Sequence, residues 1–99
     1  MRVIRMIQSF RCKHTRALFE GASPRQFRSM QAAAERKLQL LDSAQTLEFL
    51  RSPPGNRLEL LAGTRAGQHS ISISINDQWR VCFVWTDAGP EHVEIVDYH

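Results

Sequence analysis

Three consecutive side chains able to hold or move protons close this chain. Asp97, Tyr98 and His99 follow directly on the apolar, strand-like run Val93-Glu94-Ile95-Val96. A terminal segment without a role is commonly polar and frayed, whereas this one has the pattern of a strand tied into a sheet. An imidazole titrates near about 6.5, so His99 can act as acid or base around neutrality. Asp97 stands two residues earlier, on the same side of an extended strand, and can orient that imidazole or hold it charged. Tyr98 can stack on a base or donate a proton, although strict alternation aims it the other way. Arg80 offers a planar fork to phosphoryl oxygens. Such a donor contributes roughly 3–4 kcal/mol where negative charge develops in a transition state. Arg80 can instead form an ion pair with Glu94 or Asp97. Arg57 and Arg65 are further phosphate-contact candidates, although loop arginines are often simply solvated. Carboxylate, phenol, imidazole and guanidinium together point to chemistry on a phosphate-bearing polymer.

The composition agrees with that direction. Eleven of the 13 basic residues are Arg, and the charge is uneven. Residues 1–50 hold nine Lys/Arg against four Asp/Glu, while residues 51–99 hold four against six. Hydrophobic content of 42% and charged content of 23% are those of an ordinary globular protein. Ninety-nine residues suit one domain over 1–99, with a core that needs neither metal nor disulfide. No stretch approaches the roughly 18 apolar residues of a membrane helix. The first five residues are too few and too charged for a signal peptide, so a soluble, cytoplasmic protein without a membrane partner is expected. Cys12 and Cys82 lie far apart and outside any C-x-x-C pair. They are expected to be reduced thiols, with Cys82 in the core. No cluster has metal-ligand spacing and no Gly-rich nucleotide loop is present, so neither metal nor cofactor is expected.

The elements that must position these groups follow from periodicity. Residues 3–8 read as a first strand. Thr15 to Glu20 suit a short helical turn closed by Gly21. Ser23, Pro24 and Gln26 spell a capping box. Phe27, Met30, Ala34, Leu38 and Leu41 then mark one face of an amphipathic helix over about 24–42. Its opposite face, with Arg25, Arg28, Glu35, Arg36 and Gln39, is either solvated or a basic flank for RNA. A short helix over 44–51 turns Leu47 and Leu50 inward, and Ser52-Pro53-Pro54-Gly55-Asn56 breaks it. Residues 57–61 read as a strand and 62–67 as a loop. In Gln68 to Ile75, Ile71, Ile73 and Ile75 share one face and Ser70, Ser72 and Ser74 the other, which predicts a half-buried strand. Asn76-Asp77 suits a tight turn. Trp79, Val81, Phe83 and Trp85 then share a face opposite Arg80, Cys82 and Val84. After a turn over 87–90, residues 92–98 close the sheet. The predicted fold class is α+β: an N-terminal strand, two to three helices, then an antiparallel β-meander.

The order Met6-Ile7-Gln8-Ser9-Phe10, Arg65-Ala66-Gly67 followed by Gln68-His69-Ser70-Ile71, Asn76-Asp77-Gln78-Trp79-Arg80, and the closing Asp97-Tyr98-His99 resembles the HigB-type toxins of the RelE/ParE superfamily. The likeness covers nearly the whole chain from Met6 onward. It implies the toxin of a type II toxin–antitoxin pair, an endoribonuclease that enters the ribosomal A site and cuts messenger RNA. The implied reaction is metal-free attack of a ribose 2′-hydroxyl on the adjacent phosphodiester. By matching position, the resemblance carries catalytic roles to Arg80, Asp97, Tyr98 and His99. It implies a cognate helix-turn-helix antitoxin, and contact with promoter DNA only through the toxin–antitoxin complex.

The chain departs from the family pattern at Glu59 and Ala62, where relatives often carry a His and then a Lys. That departure implies weaker nuclease activity. The alternative reading is therefore a catalytically weakened, Arg-rich growth inhibitor that binds RNA or the ribosome. Gyrase inhibition, known from the ParE branch, fits the proton-transferring end less well.

Overall fold

Helices precede strands, as the hydrophobic spacing requires. The computed structural model describes residues 6–52, 54–73 and 78–98. Helix α1 (Lys13–Phe19), helix α2 (Gln31–Ser43) and helix α3 (Leu47–Arg51) precede a four-stranded antiparallel sheet. Its strands, in spatial and chain order, are β1 (Glu59–Leu60), β2 (His69–Ser72), β3 (Trp79–Thr86) and β4 (Gly89–Asp97). The α+β class and the meander agree with the sequence pattern.

The core lies between the helices and one sheet face. Leu18, Ala34, Leu38, Leu41 and Leu50 pack with Ile71, Val81, Phe83, Val93 and Ile95, all buried. Two side-chain bonds tie the layers together. Thr15, itself buried, accepts the Ile95 backbone N–H on Oγ1 at 3.0 Å, and Asp42 accepts the Ile7 N–H at 3.0 Å.

Three local expectations are corrected. The helix predicted over 24–42 is divided: Arg25–Met30 is a 3₁₀ segment, and the α-helix starts only at Gln31. Phe27 and Met30 are three residues apart, and a three-residue turn eclipses both onto the core. The Ser23–Gln26 capping box does not form: Pro24 takes the N-cap position of the 3₁₀ segment with no side-chain cap, and the Ser23 hydroxyl donates to Gln31 Oε1 at 2.6 Å. The helix cap that does form is Thr46, whose Oγ1 accepts the Phe49 N–H at 3.1 Å.

The N-terminal strand is the third correction. Residues 3–5 of that expectation lie outside the described residues, and those from Met6 onward form no strand. Phe10 instead makes one isolated parallel bridge to Val93. Ser9 Oγ takes the His92 N–H at 2.9 Å, so a regular backbone ladder is interrupted there. His92 itself has a left-handed backbone (φ 54°). It sits in a bulge: Cys82 pairs with Glu94 but Val84 with Glu91, one extra residue on β4. The turn before it is tighter than predicted, because β4 already begins at Gly89. The Asn76-Asp77 turn lies outside the described residues.

The described helices are too short and too polar to cross a membrane. Gly89 (φ 132°) lies directly under the Met6 backbone, where an added Cβ would collide with the Met6 carbonyl. Gly89→Ala is therefore expected to destabilise the fold by about 1–3 kcal/mol in urea unfolding, through strain and displacement of the N-terminal segment.

Candidate functional site

Alternation along β2, β3 and β4 directs one set of side chains away from the helices. The register aligns Ser70, Cys82 and Glu94 in one row across the sheet, and Ser72, Arg80 and Val96 in the next. Glu59 on β1 pairs with Ser70 and joins the first row. The bulge at His92 matters here. It lets Val93 and Ile95 enter the core while turning Glu94, Val96 and Tyr98 to the Arg80 side.

Arg80 is the centre of this face and is buried, 1% exposed. Its Nε donates to Ser70 Oγ at 2.7 Å, and Nη2 donates to the Arg57 carbonyl at 2.6 Å and the Ser70 carbonyl at 3.2 Å. Glu59 approaches Nη2 at 3.7 Å but is itself largely exposed. A buried charge is tolerable only when its donors are satisfied, and the Ser70 hydroxyl and the Ser70 and Arg57 carbonyls contribute to that here. Of the two carboxylates considered as ion-pair partners of Arg80, Glu94 and Asp97, Glu94 is engaged elsewhere.

Glu94 instead holds Arg65. Arg65 ends a short 3₁₀ turn, Gly63–Arg65, and its Nη1 donates to Glu94 Oε1 at 3.2 Å and to Gln68 Oε1 at 3.1 Å. Burial disfavours the Arg65 cation, but the bond to Glu94 and nearby charges outweigh it and raise its pKa. Tyr98 completes the face, with its hydroxyl 4.0 Å from Cys82 Sγ. Burial and the neighbouring thiol push the Tyr98 phenol up. Burial also pushes the Cys82 thiol up, against the pull of Arg65. Both cysteines are free thiols, as expected. Cys82 is buried, as expected of a core thiol, and its side chain lies on this polar face.

Not all predicted site residues meet. Arg80, Arg65 and Tyr98 share the face. Arg57 contributes its carbonyl to Arg80, while the residue as a whole is exposed and its backbone left-handed (φ 48°). Asp97 pairs with Trp79, whose ring packs edge-on against Phe27 at 6.0 Å on the helix side. Asp97 is therefore on the opposite sheet face from Arg80 and Tyr98. His99 lies outside the described residues. His69 stacks on Phe83 (ring centroids 6.1 Å), and its buried Nδ1 has no hydrogen-bond partner among the described residues. Burial, helped by Arg51, lowers its pKa.

The loop carrying Arg57 is held from behind. Buried Asn56 accepts from Lys37 Nζ and donates to the Leu50 carbonyl at 3.0 Å. Among the described residues, no three His, Cys, Asp or Glu side chains gather as a metal-binding group. A hollow of about 770 Å³, lined by Ala32, Glu35, Arg36, Gln39, Leu40 and Ser43, lies on α2 and includes none of the chemistry-bearing groups. The guanidiniums and the phenol are gathered on an open sheet face instead.

Residues 8–99 match the family model described as RelE-like toxin of type II toxin-antitoxin system HigB. The chain belongs to this family. It is also similar to Toxin HigB-1 of Vibrio cholerae serotype O1, at 48% identity over 59 residues. That alignment spans 60% of this chain and 60% of the Vibrio protein.

The Glu94–Arg65 pair and the Cys82–Tyr98 contact escaped the sequence reading. Parity alone places Cys82 beside Arg80, but only the cross-strand register brings Glu94 level with Cys82. This HigB-family chain has one tyrosine, so phenolate absorbance reports Tyr98 alone. Its titration midpoint is expected above the ordinary tyrosine value of about 10. The sign follows: the fold favours the neutral phenol, so stability is intact below the unfolded pKa and declines as pH rises through the folded one. A midpoint at or below the ordinary value would contradict the packing described.

Proposed function

We propose that this HigB-family toxin is a ribosome-dependent messenger RNA endonuclease acting in the cytoplasm. The observation that carries the reading is the sheet face on which Arg65, Arg80 and Tyr98 converge. Cleavage through the RNA's own 2′-hydroxyl needs three things: a proton acceptor, positive charge against the phosphoryl oxygens, and a proton for the 5′-oxygen that leaves. The products are a 2′,3′-cyclic phosphate and a 5′-hydroxyl.

In this scheme Arg65, and Arg57 at the rim, meet the RNA backbone. Arg80 lies beneath, where its charge acts through a low-dielectric layer and its hydrogen bonds hold Ser70 and the Arg57 carbonyl in place. Tyr98 stacks on a base or donates a proton from its neutral phenol, which burial favours further. His99 is the acid or base. Asp97, on the other sheet face, contributes indirectly by orienting or charging the imidazole. No metal or cofactor enters the scheme. The partners are the ribosome and its messenger RNA, and a cognate helix-turn-helix antitoxin whose complex with the toxin binds promoter DNA.

A second reading has its own support. Glu59 and Glu94 set two carboxylates against the two guanidiniums, which lowers the positive potential offered to a phosphate. That favours a catalytically weakened inhibitor that binds RNA or the ribosome. Induction of the toxin followed by mapping of RNA 5′ ends on translating ribosomes separates the two. New 5′-hydroxyl ends at A-site codons are expected for the nuclease, with His99→Ala reducing their formation by roughly 10²–10⁴-fold. Arg80→Ala is expected to abolish them as well, with loss of stability measured alongside. Growth arrest without new ends would support the binding reading, and unaltered translation would overturn both.

A further inference from the structure

Arg65 is held in an uneven way. Both of its acceptors, Gln68 Oε1 at 3.1 Å and Glu94 Oε1 at 3.2 Å, take Nη1. Its Nε and Nη2 have no hydrogen-bond partner among the described residues. The side chain is 30% exposed and that of Glu94 23%, so the pair sits at the surface of the face without being fully solvated. Gln68 comes from Arg65's own loop, and the Gln68 N–H also bonds the Arg65 carbonyl at 3.0 Å. Glu94 comes from β4, at the far side of the Cys82 row. The loop is thereby latched across the sheet through one guanidinium nitrogen.

We infer that Glu94 is a positioning residue, which pins Arg65 by Nη1 and leaves Nε and Nη2 to receive an RNA phosphate. The inference rests on the reading of this face as RNA-binding. A long, flexible side chain loses rotamer freedom when it binds, and holding it beforehand removes part of that cost. Bidentate recognition of a phosphate needs two adjacent donors, and the Nε/Nη2 edge supplies them. The opposing effect is repulsion between the Glu94 carboxylate and the phosphate. The pairing of that carboxylate with Arg65 weakens the repulsion, so positioning outweighs competition.

The test uses a single-stranded RNA with 2′-O-methyl riboses, which binds but cannot be cut, followed by fluorescence anisotropy on the full chain. Arg65→Ala is expected to weaken binding and to reduce the slope of log K against log salt by about 0.7 for each phosphate that is no longer neutralised. Glu94→Ala is expected to weaken binding roughly three- to tenfold. Glu94→Gln keeps a carbonyl acceptor for Nη1 and is expected to bind at least as tightly as the parent. In the Arg65→Ala background there is no guanidinium left to position and the carboxylate is unpaired, so Glu94→Ala is expected to cause no further loss and to restore some binding by removing its repulsion. Affinities are compared at a temperature where melting curves show every variant folded. Tighter or unchanged binding by Glu94→Ala, with Arg65→Ala weakened, would overturn the inference, because Glu94 would then be a competitor or a bystander. Parent-like binding by Arg65→Ala would instead overturn the RNA-binding reading of the face, and the inference with it.

Discussion

A single buried guanidinium organises the polar side of this sheet. At 1% exposure Arg80 is held by Ser70 and the Arg57 carbonyl, which accept its N–H groups at hydrogen-bonding distance. Bonds of this kind to a charged donor contribute about 1.5–3 kcal/mol each, whereas a buried donor left unmatched costs a comparable amount. The arrangement therefore constrains its neighbours. Position 70 must offer a hydroxyl, and the chain at position 57 must turn its carbonyl inward, which it does in a left-handed conformation. Asn56, held by Lys37 and Leu50, supports that turn from the helical layer. The guanidinium thus couples helix packing to the shape of the candidate site.

Carboxylates offset part of the positive charge of this face. Arg65 is matched by Glu94 and Arg80 is approached by Glu59. A site made of cations alone would bind phosphate more strongly but would be destabilised by its own repulsion. Here Glu94 holds Arg65 in a defined place at the cost of some positive potential. Glu59 acquires a physical meaning in this light: its carboxylate stands at the rim of the pocket that holds Arg80.

Much of the fold was legible because apolar spacing reports burial directly. Ile71, Val81, Phe83 and Val93 pack where their alternation placed them, and Leu38, Leu41 and Leu50 meet them from the helices. The serine face of β2 was not legible. Ser70 and Ser72 are as buried as the isoleucines, since Arg80 and its partners cover them, and no periodicity distinguishes a serine facing water from one facing a buried guanidinium. The capping box also failed. The segment winds as a 3₁₀ turn with Pro24 at its N-cap, which leaves Ser23 outside it to donate its hydroxyl to Gln31 eight residues away.

What the sequence determined by itself was the layering: helices on one side, a meander on the other, with arginines and a proton-carrying end distributed among them. Those features depend on residues near one another in the chain. The tertiary structure alone decided who pairs with whom. An extra residue at His92 turns Tyr98 toward Cys82 and leaves Asp97 across the sheet. Strand register sends Glu94 to Arg65 rather than to Arg80. A one-residue shift reverses the face of every side chain beyond it, and neither composition nor period-two spacing reveals where that shift occurs.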